Sequence, residues 1–140
     1  MAATTEPALE PENVTYKSDH VGGVEAIWAL PAGADTKRVI LYTHGGGFCV
    51  GSADSHRKMV GHLAKALGAT ACNLHYRRAP EHPFPAQIED AVAAYKALLA
   101  KGFDAKNILT AGDSAGGKLA VASVLKFREL GLSLPGAVIA

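Results

Sequence analysis

The sequence predicts an α/β fold: a mostly parallel, doubly wound sheet with helices on both faces. Three observations carry that prediction. Short apolar runs at residues 38–43 (RVILYT), 70–75 (TACNLH) and 108–111 (ILTA) have the length and composition of buried strands. Between them lie longer stretches whose apolar side chains recur at three-and-four spacing, the period of a helix with one buried stripe. Each run ends in a glycine-rich or proline-rich segment, so the chain turns at one common edge. Strands joined by helical crossovers run parallel, because each crossover returns the chain to the edge it left.

The elements run in order along the chain. Residues 1–12 lack the basic start and apolar core of a secretory signal, and their Pro, Glu and Thr content makes residues 1–13 an expected mobile or loosely docked arm. Residues 14–140 are then one domain, or the amino-terminal part of one. Residues 16–30 read as one or two outer strands around Gly22 and Gly23, and residues 31–37 as a loop. After the strand at 38–43, Asp54 or Ser55 is placed to cap a helix carrying Met59, Val60, Leu63, Ala64 and Leu67 on one face. Gly68 stops that helix. The strand at 70–75 leads through a Pro-rich block to a helix over 85–100. Its Ile88, Ala91, Val92, Tyr95, Leu98 and Leu99 form a buried stripe, which leaves Glu89, Asp90 and Lys96 in water. Gly102 ends it, the strand at 108–111 comes next, residues 115–130 form another helix, and residues 136–140 begin a further strand.

Composition narrows the functional classes. Fourteen basic and thirteen acidic residues give a net charge of +1, and they are interspersed, so there is no basic footprint for nucleic acid. No apolar run approaches the ~20 residues of a membrane span, so no stable membrane insertion is expected. Cys49 and Cys72 make neither a C-x-x-C pair nor a metal cluster and read as small buried thiols in a reducing, cytoplasmic setting. The six histidines are scattered, and no metal is expected.

The chemistry concentrates at Gly112, Asp113, Ser114, Ala115 and Gly116, a G-x-S-x-G run between an apolar strand and an alanine-rich helix. A nucleophile elbow needs a serine on a sharp strand-to-helix turn, flanked by small residues that let the neighbouring backbones approach. The strand at 38–43 ends in His44, Gly45, Gly46, Gly47 and Phe48. Acyl transfer needs preorganised N–H donors where the oxyanion develops, and a glycine loop brings backbone amides close without Cβ obstruction. Gly46 and Gly47 are the candidate donors from this loop, and the Ala115 N–H is the third. His44 is placed to pin the loop through a ring hydrogen bond, Gly45 begins it, Asp113 is a structural acceptor, and Phe48 is a candidate pocket residue. Because the strand ends share one edge, the loops after residues 43, 75 and 111 open onto one rim. A competing motif occupies the same place: residues 112–119 nearly fit G-x-x-x-x-G-K-[ST], but Leu119 has no hydroxyl for Mg²⁺. Lys118 then reads as a solvated residue of the first helical turn.

Three blocks, residues 44–48 (HGGGF), 76–86 (YRRAPEHPFPA) and 112–117 (GDSAGG), resemble in order and spacing the hormone-sensitive-lipase branch of the α/β-hydrolases. The similarity runs from about residue 21 onward. It implies an α/β-hydrolase fold with Ser114 as acyl-accepting nucleophile, the glycine loop as oxyanion hole, the Pro-rich block as structure, and small uncharged carboxylic esters as substrates, without cofactor. Within that block Arg77 and Glu81 are expected to pair.

The segment after Ser114 departs from the family's order of nucleophile, acid and histidine. Residues 115–140 contain no histidine and only Glu129 as a carboxylate. His75 and His82 lie on the same rim but are poor candidates for the base; His20, His56 and His62 read as solvated or helical, without a partner cluster. The chain therefore reads as the amino-terminal half of a hydrolase, short of both the lid helices and the carboxyl-terminal half, with an acid and a late histidine expected beyond residue 140. The alternative is a non-catalytic ligand-binding or regulatory protein on the same fold, as plant gibberellin receptors are within this resemblance. The sequence does not specify an oligomeric state.

Overall fold

A computed structural model describes residues 9–45, 53, 56–78, 81–82 and 84–140, and its backbone follows the expected alternation of strands and helices. Strands β1 (Val14–Val21) and β2 (Val24–Pro31) form an antiparallel hairpin about Gly22 and Gly23. Strand β3 (Asp35–Thr43) leads to helix α1 (Arg57–Leu67), β4 (Ala69–Leu74) and α2 (Ala86–Ala100). A short 3₁₀ turn (Ala105–Asn107) precedes β5 (Ile108–Gly112), then come α3 (Ala115–Glu129) and β6 (Ala137–Ile139).

The sheet order is β1-β2-β4-β3-β5-β6. β2 meets β4 antiparallel, whereas β4, β3, β5 and β6 are mutually parallel along the ladder. From β3 the chain goes through α1 to β4 on one side, then returns through α2 to β5 on the other. The carboxyl ends of β3 and β5 therefore flank a topological switch point, where α/β sheets leave a crevice.

Side-chain alternation along β3 builds two cores. Val39 and Leu41 join Trp28, Leu74, Tyr95, Leu98 and Phe127 on the α2 and α3 side, while Ile40 and Tyr42 join Val60, Ala64 and Ala71 on the α1 side. Tyr95 and Phe127 are fully buried and stack with ring centroids 3.9 Å apart, which ties α2 to α3. Burying side chains of this size stabilises the fold by about 1.5–3 kcal/mol each.

Several expectations are corrected. β3 starts at Asp35, within the expected loop; the Asp35 N–H donates to the Gly68 carbonyl at 3.0 Å, and the exposed polar residues there give no apolar signal. His56 occupies the N-cap position of α1 without a side-chain cap bond; Asp54 and Ser55 lie outside the described residues. Gly68, in the left-handed conformation, closes α1 as expected. Asp90 is buried rather than wet, because the Arg77 backbone N–H and Nε donate to its two oxygens at 2.7 and 2.9 Å. Two charge-assisted hydrogen bonds offset much of the cost of burying a carboxylate. Arg77 thus pairs with Asp90, and with Glu89 at 3.3 Å, rather than with the expected Glu81. Cys72 is a buried free thiol; Cys49 is outside the described residues. Near the amino end, Glu10 pairs with Arg57 at 2.7 Å, and His62 Nε2 donates to the Leu9 carbonyl at 2.6 Å, so residues 9–10 lie against α1.

Candidate active site

β5 ends in a tight turn that places Ser114 at the first position before α3, exposed and at φ 52°, ψ −119°. A non-glycine residue at positive φ costs about 1–3 kcal/mol and persists only where its surroundings over-determine it. Here they do. The Gly116 N–H donates to the Asp113 carbonyl at 2.8 Å, and Thr43 Oγ1 donates to the Gly116 carbonyl at 2.6 Å, joining the turn to the end of β3. Backbone packing is so close that a Cβ on Gly112 would collide with the Gly116 carbonyl, and one on Gly116 with the Thr43 and His44 carbonyls. The Ser114 side chain does not cap α3, so it does not compete for the first-turn amides, of which Ala115 N–H is the first.

Asp113 is the hub beside the serine. Its Oδ1 accepts from the Tyr42 hydroxyl at 2.6 Å and the Gly45 N–H at 2.9 Å, and its Oδ2 lies 3.3 Å from His56 Nε2. Burial raises the Asp113 carboxyl, but the Tyr42 hydroxyl, the neighbouring His56 and the Gly45 N–H outweigh it and hold the pKa below its ordinary value. The carboxylate in turn adds to burial in pushing the Tyr42 phenol upward.

His44 is fully buried. Its Nδ1–H donates to the Gly45 carbonyl at 2.8 Å, its ring stacks on Tyr76 with centroids 4.4 Å apart, and the Tyr76 hydroxyl donates to the His44 carbonyl at 2.7 Å. Among the described residues, His44 Nε2 has no hydrogen-bond partner. Burial lowers its pKa from 6.5 to about 4, and the imidazole is neutral at physiological pH. Below pH 6.5 the unfolded chain takes up a proton that folded His44 does not accept until about pH 4, so stability falls as pH drops through that window. The expected loss is about 3 kcal/mol at most. Urea unfolding midpoints measured from pH 7 to pH 4 should therefore decline less steeply in His44→Phe, which keeps a ring against Tyr76, than in the parent chain. Parallel declines would contradict this protonation account.

The structure thus brings together Ser114, Ala115, Asp113, His44 and Gly45. Gly46, Gly47 and Phe48 lie outside the described residues. Sequence reasoning missed His56, Tyr42, Thr43 and Tyr76. The signal available for His56 was its place at the start of α1, just after the glycine loop, on the rim that also carries Asp113. His75 and His82 line a separate cavity of about 840 Å³ with Gly22, Gly23 and Arg77. Ser114 borders a shallower groove of about 500 Å³ with Lys118, Val121, Leu125 and Ala140. The larger cavity is therefore not the one at the serine. Among the described residues no three His, Cys, Asp or Glu side chains are grouped to hold a metal ion, and no helix is long and apolar enough to cross a membrane.

Residues 40–140 match the family described as alpha/beta hydrolase fold. An acetyl-hydrolase of Streptomyces hygroscopicus is 49% identical over 119 residues, which are 85% of this chain and 40% of that protein. The carboxylesterase NlhH of Mycobacterium tuberculosis is 36% identical over 132 residues, 89% of this chain and 41% of that one. The crystal structure of an esterase from the bacterial hormone-sensitive lipase family superposes with a TM-score of 0.94 at 42% identity, covering 99% of this chain and 47% of that one. EstE5 soaked with p-nitrophenyl butyrate superposes at 0.90 with 42% identity, covering 94% and 45%. The chain spans less than half the length of these relatives. It belongs to the α/β-hydrolase fold family, in the branch that resembles hormone-sensitive lipase.

Proposed function

We propose that this chain carries the nucleophile and oxyanion-hole part of a serine carboxylic ester hydrolase that works through an acyl-enzyme on small, uncharged esters. The observation that supports it most is the backbone of Ser114, held at φ 52° on a strand-to-helix turn and exposed on the rim of the switch-point crevice. In this reading residues 14–140 are the amino-terminal part of one hydrolase domain. Ser114 Oγ attacks the ester carbonyl, and the oxyanion forms against the N–H of Ala115 and those of Gly46 and Gly47. Such a donor is worth about 2.7–4 kcal/mol when it meets the developing charge. Asp113 and His44 act as supports: they hold Gly45, from which the glycine loop departs. Serine also needs a base to take its proton, and residues 115–140 contain no histidine. The base and its acid partner are accordingly not assigned to any residue of segment 115–140. The names of the relatives, acetyl-hydrolase and carboxylesterase, agree with ester chemistry.

The test is direct. Incubated with a p-nitrophenyl alkylphosphonate, the protein that carries this chain should gain one phosphonyl group, mapped by mass spectrometry to Ser114, whether or not p-nitrophenyl butyrate turns over. Labelling elsewhere, or none at all, would favour a ligand-binding role for the fold.

A further inference from the structure

Gly45, just after β3, and His56, just before α1, reach the same carboxylate. The Gly45 N–H donates to Asp113 Oδ1 at 2.9 Å, and His56 Nε2 lies 3.3 Å from Asp113 Oδ2. Asp113 immediately precedes Ser114, and its Oδ1 is held further by the Tyr42 hydroxyl at 2.6 Å. Between them in sequence, the Ala53 carbonyl accepts from Asn73 Nδ2 at 2.9 Å, which ties Ala53 to β4. His56 is well placed for its part. Its side chain is only 8% exposed, it stands at the start of α1, and its ring lies 5.6 Å from that of His44. A ring so enclosed cannot swing away cheaply, so its nitrogen is presented to Asp113 in one orientation.

We propose that His56 is a positioning residue: through the Asp113 carboxylate it ties the start of α1 to the turn that presents Ser114. This rests on the reading of Gly46 and Gly47 as oxyanion donors. One carboxylate then joins both Gly45 and His56 to the residue before the nucleophile. His56 touches no reacting atom. Its effect falls on geometry that matters most when charge develops on the oxyanion, so it bears on the rate of the chemical step more than on initial binding.

The arrangement requires a proton on His56 Nε2, because only an N–H can donate to the carboxylate. Long-range ¹H–¹⁵N spectra of the parent chain at neutral pH should show Nε2 protonated. A neutral ring protonated only at Nδ1 would overturn the proposal, and this measurement needs neither activity nor a variant. The second arm compares phosphonylation of Ser114 in the parent, His56→Leu and His56→Gln, with thermal unfolding recorded for each. The maximal labelling rate should fall about tenfold in His56→Leu, with half-saturation unchanged, and largely recover in His56→Gln, whose amide can donate at the same place. Equal rates in all three folded proteins would overturn the proposal, as would a drop in His56→Leu that Gln does not restore. If His56→Leu does not fold, the parent-to-Gln comparison and the ring spectrum still decide. If the parent protein that carries this chain is not labelled at all, that counts against the esterase reading, whereas the spectrum still tests the contact between His56 and Asp113.

Discussion

Ser114→Ala is expected to remove ester hydrolysis from the protein that carries this chain, by about 10⁶-fold in kcat, the scale of losing a serine nucleophile outright. The loss should come without a comparable loss of fold. Ser114 is exposed, its side chain makes no capping bond to α3, and the turn is held instead by Gly116 N–H to Asp113 and by Thr43 Oγ1 to Gly116. Alanine keeps a Cβ at the same φ of 52°, so whatever backbone strain serine bears is borne equally in the variant. Steady-state rates with p-nitrophenyl butyrate, intact-mass labelling by the phosphonate and a thermal unfolding curve together check the prediction. Activity reduced only a few-fold would remove the serine from the reaction. A large loss accompanied by a collapsed unfolding temperature would mean that the residue matters to the turn rather than to the chemistry.

Why the serine was legible and its surroundings were not comes down to range. The elbow is a local object: strand, five residues and helix occur consecutively, and the small residues at 112 and 116 report the close approach of backbone that the structure contains. The alternation of β and α was equally local, and with it the α/β class and the mostly parallel sheet; the α/β-hydrolase fold followed from the resemblance of residues 44–48, 76–86 and 112–117. The Asp113 network is not. Its partners Tyr42, Gly45 and His56 are 57 to 71 residues away, and nothing in the spacing of a helix or strand indicates which side chains a crossover will bring to one rim. His56 looked like an ordinary solvated histidine because the helix it begins shows its apolar stripe only further along. Asp90 failed for the same reason, since helical periodicity counts it as a polar position and cannot see Arg77 arriving from the loop after β4. β3 gained Asp35 through pairing with β4 rather than through any apolar content of its own.

Gly116→Ala is the substitution expected to cost most in stability, and its sign opposes intrinsic preference. In an ordinary helix, alanine is favoured over glycine by about 1 kcal/mol, and residue 116 lies in the first turn of α3. Here the added methyl would collide with the Thr43 carbonyl and stand 2.5 Å from the His44 carbonyl. Neither obstacle is a flexible side-chain tip. Both are backbone carbonyls, of the last residue of β3 and the one after it, and β3 is paired on each edge, with β4 and with β5. Relief must therefore come from α3 moving outward, which lengthens the 2.6 Å bond from Thr43 Oγ1 to the Gly116 carbonyl and shifts the turn that carries Ser114. Overpacking of this kind typically costs 1–3 kcal/mol, and strained or broken backbone contacts add to it, so a net destabilisation of about 3 kcal/mol is expected. Urea unfolding of the variant should show the lower midpoint at an unchanged m-value, and phosphonylation of Ser114 should slow even in the fraction that remains folded. An equal or higher midpoint would mean that the backbones of β3 and α3 can separate freely, and with that the physical reason for a glycine two residues after the serine would disappear.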